Sequence, residues 1–127
     1  MRIIGHGIDI IEVPRIARMI EAHGDRFLAR VYTAREQQSC RSRKRSAESF
    51  ASRFAAKEAV LKALGTGWSG GIAWTDAEIV TLPSGAPAVQ LHRRAADLAR
   101  ELGVTAWAIS MSDTEQYATA SAIASGN

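Results

Sequence analysis

The stretch Ser46-Ala47-Glu48-Ser49-Phe50-Ala51-Ser52-Arg53-Phe54-Ala55-Ala56-Lys57-Glu58-Ala59-Val60-Leu61-Lys62-Ala63-Leu64-Gly65-Thr66-Gly67 decides how this chain reads. It has no proline and is rich in alanine, so it predicts a long helix ending at Leu64, with Gly65 as C-terminal cap. Projected at a helical period, Phe50, Phe54, Leu61 and Leu64 fall on one narrow apolar stripe. Glu58 and Lys62 flank one side of it, and Arg53 and Lys57 the other. A purely structural helix would send four such charges to its opposite face.

Outward from this helix, Arg2 to Val13 reads as a strand, Pro14 suits the first position of a helix over Arg15 to His23, and Gly24 stops it. Asp25 to Arg30 adds a turn or two, and Thr33 with Glu36 forms a capping box. Arg41 to Arg45 is too crowded with like charge for a core, so it predicts a loop or a frayed helix end. After the glycine loop from Gly65 to Gly71, Ile72 to Leu82 and Ala88 to Leu91 read as a hairpin. Arg93 to Leu102 reads as a helix stopped by Gly103, and Thr105 to Ser112 and Tyr117 to Ala124 as two strands around an Asp113-Thr114-Glu115 turn. The expectation is a single α+β domain over residues 1–127, with a mostly antiparallel sheet packed on a long central helix.

The 127 residues are 46% hydrophobic and 23% charged, which is globular composition. No apolar run reaches the ~18 residues of a membrane span, and no cleavable signal opens the chain, so a cytoplasmic protein is expected. A single cysteine, Cys40, excludes an internal disulfide and a cysteine zinc site. The net charge of +3 is uneven: residues 1–62 hold 13 Lys and Arg against 7 Asp and Glu, while residues 63–127 hold 3 against 6. The first half therefore suits an anionic partner: nucleic acid, a phosphorylated small molecule or an acidic protein.

Gly5-x-Gly7 lacks the third glycine of a dinucleotide fingerprint, and Gly65-x-Gly67 is not a P-loop. His6, His23 and His92 have no metal-ligand spacing. Asp9 is conspicuous inside the apolar run Gly7-Ile8-Asp9-Ile10-Ile11, since a buried carboxylate needs a partner. It could cap the helix at Pro14 or pair with an arginine, and Glu58 could simply pair with Lys62 four residues on. Together the two carboxylates have the character of ligands for a hard cation such as Mg²⁺, which takes one or two carboxylates and fills its shell with water and phosphate oxygens. With Arg53, Lys57, Lys62 and a glycine loop beside them, they suggest phosphoryl chemistry on a diphosphate.

These residues resemble a known family. Gly7 to Ile16, and Arg-Phe-x-x-Lys-Glu-x-x-x-Lys running into Gly65-Thr66-Gly67, closely resemble the short 4′-phosphopantetheinyl transferases, the holo-acyl-carrier-protein synthases. The likeness covers nearly the whole chain, through Gly85-Ala86-Pro87 to Ser110–Ala118. Many members carry His where this chain has Asp113, and Lys where it has Ala86.

The resemblance implies transfer of 4′-phosphopantetheine from coenzyme A to a serine of apo acyl carrier protein, with adenosine 3′,5′-bisphosphate leaving. It implies Mg²⁺ on Asp9 and Glu58, with Lys62 joining them as a catalytic residue on the diphosphate. Coenzyme A would also be met by Arg53, Phe54, Lys57 and the Gly65-Thr66-Gly67 backbone, and its 3′-phosphate by Lys44 or Arg45. Arg15, Arg18 and Arg26 would dock the acidic carrier, and the assembly would be a homotrimer. The alternative class is a basic nucleic-acid-binding module using Arg41 to Arg45, which leaves Asp9 and Glu58 unexplained and shows no nucleic-acid motif.

Overall fold

Small residues set the distance between helix and sheet here. The computed structural model describes residues 1–67 and 70–127. Its central helix α4 (Ser46–Leu64) packs on a three-stranded antiparallel sheet ordered β1 (Arg2–Glu12), β5 (Tyr117–Gly126), β4 (Ala106–Asp113). Along β5 the pleat turns Ala118, Ala120, Ala122 and Ala124 inward, and all four are buried. On α4, Ala51, Ala55, Ala56, Ala59 and Ala63 are buried in turn. At β1 the approach is closer still: a Cβ on Gly5 would overlap the Ala63 carbonyl, and one on Gly7 the Ala59 carbonyl. The two glycines that fail as a dinucleotide motif therefore let strand and helix meet backbone to backbone.

The remaining elements surround this centre. Helices α1 (Val13–His23), α2 (Asp25–Val31) and α3 (Ala34–Arg41) lead from β1 to α4. The capping box of α3 forms as expected, with Thr33 and Glu36 bonded to each other's backbone N–H groups. Gly65 ends α4 at φ +84°, its N–H on the Leu61 and Lys62 carbonyls. A second antiparallel sheet joins β2 (Ala77–Thr81) to β3 (Pro87–Leu91), and α5 (Arg93–Leu102) leads to β4. Tyr32 anchors the helical side edge-on to Phe27 and Phe50, its hydroxyl donating to the Phe50 carbonyl at 2.8 Å.

Two expectations need correction. The strand expected from Ile72 starts only at Ala77, because Asp76 accepts the Ala73 N–H at 3.1 Å and folds Trp74–Asp76 into a 3₁₀ turn. The single apolar stripe on α4 is replaced by burial almost all round: twelve of its residues are buried, and Phe54 is only half-buried, stacked on Trp74. A helix enclosed on most sides loses the one-faced pattern of a surface helix. The glycine loop from Gly65 to Gly71 includes Trp68 and Ser69, which lie outside the described residues.

The sheet's other face is uncovered. Ile8 and Ile10 are 63% and 67% exposed there, beside exposed Ala108 and Ser110. Among the described residues no helix is long and apolar enough to cross a membrane.

Gly7→Ala is expected to destabilise the fold by about 3 kcal/mol or more, the upper range for overpacking, because the obstructing atom is backbone and cannot rotate away. Urea denaturation of the variant beside a surface control such as Ala86→Ser measures it.

Candidate active site

The pleat of β1 turns Asp9 toward α4, on the same side as Gly7 and Ile11. Its Oδ1 meets Lys62 Nζ at 3.1 Å, and the same ammonium donates to the Ile8 carbonyl at 2.9 Å. Asp9 thus neither caps α1, whose N-cap position is Glu12, nor pairs with an arginine. Glu58 stands one turn before Lys62 on the same side of α4 and is half-buried. The Asp9 side chain is largely buried, whereas Lys62 is half exposed at a shallow recess shared with Ile8, Ile10 and Thr119. Among the described residues no three His, Cys, Asp or Glu side chains cluster as a metal cage. Asp9 borders the open recess and Glu58 stands one turn from Lys62, and one or two carboxylates with water and phosphate completing the shell are a donor set Mg²⁺ takes, so the residue types present fit it.

A second feature lies toward β4. Arg53 is only 3% exposed, yet no carboxylate among the described residues lies within ion-pair distance of its guanidinium. Three hydroxyls hold it instead: Ser49 at 3.1 Å, Ser39 at 3.1 Å and Thr81 at 2.7 Å. It lines a cleft of about 290 Å³ with Arg43, Lys44, Arg45, Glu48, Ser52 and Asp113. The cluster expected on a loop does leave the helix after Arg41, and three of its cations reach this cleft. A buried cation without a counter-ion, in a cleft lined by further cations, has the character of a place that can receive an anion.

Lys57 does not join either feature. It is fully buried, and its three donors go to Glu36 Oε1 at 2.7 Å, the Ala77 carbonyl at 2.8 Å and the Trp74 carbonyl at 3.1 Å. Burial pulls its ammonium below the usual lysine range, and the Glu36 carboxylate opposes that. Its expected place among the coenzyme contacts is therefore corrected: no proton remains to donate and no solvent reaches it. Four residues from Arg53, it ties α4 to α3 and β2. Phe54 lies half-buried against Trp74 with ring centroids 4.7 Å apart. Gly65 and Gly67 both take positive φ, and Thr66 between them is half-buried.

Arg15, Arg18 and Arg26 are all exposed. Arg15 borders a groove with Ile10, Glu12 and Tyr117, and Arg26 borders another with Met19, His23, Phe27 and Arg30. Sequence reasoning missed Glu48 and Ser52, which stand in the decisive helix beside Arg53, and Thr81 and Ser39, which reach Arg53 from elsewhere in the chain. Helical spacing could have found the first pair. Nothing local marks the second.

Comparison with known proteins agrees with this geometry. Residues 5–122 match the family model of the 4′-phosphopantetheinyl transferase superfamily. A holo-[acyl-carrier-protein] synthase of Koribacter versatilis is 52% identical over 121 residues, spanning 95% of this chain and 97% of the relative. The crystal structure of holo-[acyl-carrier-protein] synthase from Neisseria meningitidis superposes with a TM-score of 0.88 at 32% identity, covering 97% of this chain and 98% of that one. The Bacillus anthracis synthase, solved in complex with CoA (3′,5′-ADP), superposes at 0.81 with 31% identity over the full length of both chains. The chain belongs to the 4′-phosphopantetheinyl transferase superfamily, among its holo-[acyl-carrier-protein] synthases.

Two stability predictions follow from the polar groups around Lys57. Lys57→Met should cost about 3–5 kcal/mol, because it strands the Glu36 charge in the interior, and adding Glu36→Gln should recover part of that loss in a urea double-mutant cycle. Nearby Glu78 is buried, which raises its pKa, but hydrogen bonds from Arg35, Thr33 and His92 outweigh burial and hold it down from 4.5 to about 2. Its stabilisation is complete above about pH 4.5 and lost as pH falls toward 2. Denaturation between pH 6 and pH 2 should therefore show a steeper acid loss in the wild type than in Glu78→Gln.

Proposed function

We propose that this chain works in the cytoplasm as a homotrimer that moves 4′-phosphopantetheine from coenzyme A to a serine of apo acyl carrier protein and releases adenosine 3′,5′-bisphosphate. The observation that carries the reading is Arg53, a buried guanidinium with no carboxylate partner among the described residues, on a cleft lined by Arg43, Lys44 and Arg45. Such a cleft suits the phosphates at the nucleotide end. The nucleic-acid reading of Arg41 to Arg45 gives way to it, because Arg43, Lys44 and Arg45 converge with buried Arg53 on one small cleft, while Arg41 pairs with Asp25 elsewhere.

In the reaction, the serine oxygen of the carrier attacks the phosphorus that bears pantetheine, and the bond from that phosphorus to the leaving bisphosphate breaks. Lys62, half exposed on a flexible stem, neutralises the diphosphate as charge moves onto the leaving oxygens. Gly65 and Gly67, with Thr66 between them, present backbone close to the coenzyme. Asp9 and Glu58 would hold Mg²⁺, which supplies charge neutralisation and orientation of the diphosphate. No histidine adjoins these residues in the chain, so the serine proton passes to a carboxylate-oriented water. Exposed Arg15, Arg18 and Arg26 receive the acidic carrier.

The trimer and a shared site have support in the placement of the two features. Arg53 and Lys62 are nine residues apart, about 180° around α4 and about 13 Å along it. Asp9 belongs to β1 and Asp113 to β4, the two edges of one sheet. One copy therefore points its carboxylate–lysine group and its basic cleft in different directions, and a neighbouring copy can bring one to the other. The uncovered sheet face with Ile8 and Ile10 is the surface available for that contact.

Mass spectrometry of apo carrier protein incubated with the protein, coenzyme A and Mg²⁺ tests the reaction, with a gain of one phosphopantetheine on serine expected. Asp9→Ala and Glu58→Ala should abolish the gain while circular dichroism stays unchanged; near wild-type turnover in either at saturating Mg²⁺ rejects the metal assignment. Sedimentation equilibrium at micromolar concentration should give three times the 13.7 kDa chain mass. A fully active species at the single-chain mass rejects both the trimer and the shared site.

A further inference from the structure

Two buried side-chain polar atoms among the described residues have no hydrogen-bond partner, Arg53 Nε and Glu48 Oε2, and both residues line the same cleft. One is a donor and the other an acceptor. An unsatisfied buried group costs stability unless something else completes it, so this pair asks for a ligand that brings an acceptor and a donor together. Arg53 calls for an anion. Glu48 calls for the opposite, and a phosphate would be repelled there. Arg45 pairs with it by charge, Nε 3.6 Å from Glu48 Oε2, but that distance is too long for a hydrogen bond, so the oxygen's place for a donor stays open. The cleft's other carboxylate, Asp113, already accepts the Ser52 hydroxyl at 2.9 Å.

The cleft's dimensions narrow the choice. Its volume of about 290 Å³ is near the lower end of the ~300–1,000 Å³ typical of small-molecule sites, enough for one nucleoside moiety and not for a whole extended coenzyme. A nucleoside carrying phosphates offers both kinds of group: phosphate oxygens for Arg43, Lys44, Arg45 and Arg53, and a donor in the exocyclic amine of a purine or the ribose 2′-hydroxyl.

We propose that Glu48 is a specificity-determining residue that accepts a hydrogen bond from a donor on the nucleoside of the coenzyme, so that the cleft selects the nucleoside as well as its phosphates. The inference rests on the coenzyme A reading above and adds a residue that reading does not use. A site built to receive a donor penalises a ligand that lacks it, because the Glu48 oxygen is then buried without a hydrogen bond again.

Calorimetric titration of the whole protein in Mg²⁺ tests this with three probes: adenosine 3′,5′-bisphosphate, inosine 3′,5′-bisphosphate, which replaces the amine with an oxygen acceptor, and the 2′-deoxy analogue of the first. The wild type should bind one of the two analogues at least ten-fold more weakly than the parent, and which one it is identifies the donor. Glu48→Ala should bind all three within a factor of about two, whereas Glu48→Gln, which keeps an acceptor oxygen, should retain the preference. Equal binding of all three by the wild type, or a preference that survives in Glu48→Ala, overturns the assignment to Glu48. If none of the three binds, the coenzyme A reading of the cleft fails as well, and that result is distinct from binding without discrimination. Circular dichroism of the variants confirms the fold, and Glu48→Leu, which also lacks an acceptor and should lose the preference, carries the test should Glu48→Ala unfold.

Discussion

Everything in this molecule depends on how closely α4 approaches β1 and β5. Ala59 and Ala63 present backbone carbonyls where a Cβ on Gly7 or Gly5 would have to sit, and four alanines along β5 line the neighbouring strip. The contact has little side chain to interdigitate, so its stability comes from close packing over a long helix rather than from bulky residues. It also fixes the helix against rotation. Asp9, two residues beyond Gly7 on the same side of the strand, then meets Lys62 because the helix stands where the glycines allow it.

The same helix uses two buried cations in different ways. Arg53 and Lys57 are one turn apart, and both are removed from solvent. Lys57 has a carboxylate and two carbonyls and is complete within the fold. Arg53 has three hydroxyls, which satisfy hydrogens but leave the charge uncompensated. A charge that the fold completes is structural, and a charge held in position without a counter-ion is available to a ligand. The partners supplied by α3, β2 and the 3₁₀ turn at Trp74–Asp76 make this distinction. The residue types do not.

The placement of polar groups also bears on assembly. The carboxylate–lysine group faces the β1 edge and the basic cleft the β4 edge, with β5 between them. Both draw on one helix, the first through Lys62 and the second through Arg53. A face of exposed isoleucines beside alanine and serine lies on the same sheet, opposite α4.

Much of this was legible in the sequence. The long helix, its Gly65 stop, the Thr33–Glu36 capping box and the antiparallel strands follow from local signals: propensity, caps and alternation. The spacing of Asp9, Glu58 and Lys62 pointed to a metal and a diphosphate, and the structure places Asp9 against Lys62. Tertiary packing decided the rest. A helical wheel places Arg53 and Lys57 side by side and cannot tell which one finds Glu36, because Glu36 arrives from a separate helix whose own cap already employs it. The early 3₁₀ turn at Trp74–Asp76 overrode an apolar run because a single aspartate closed it. The cleft around Arg53 is made of residues from the segment between α3 and α4, from α4, the β2–β3 hairpin and β4, and only the folded chain brings their charges within reach of one another.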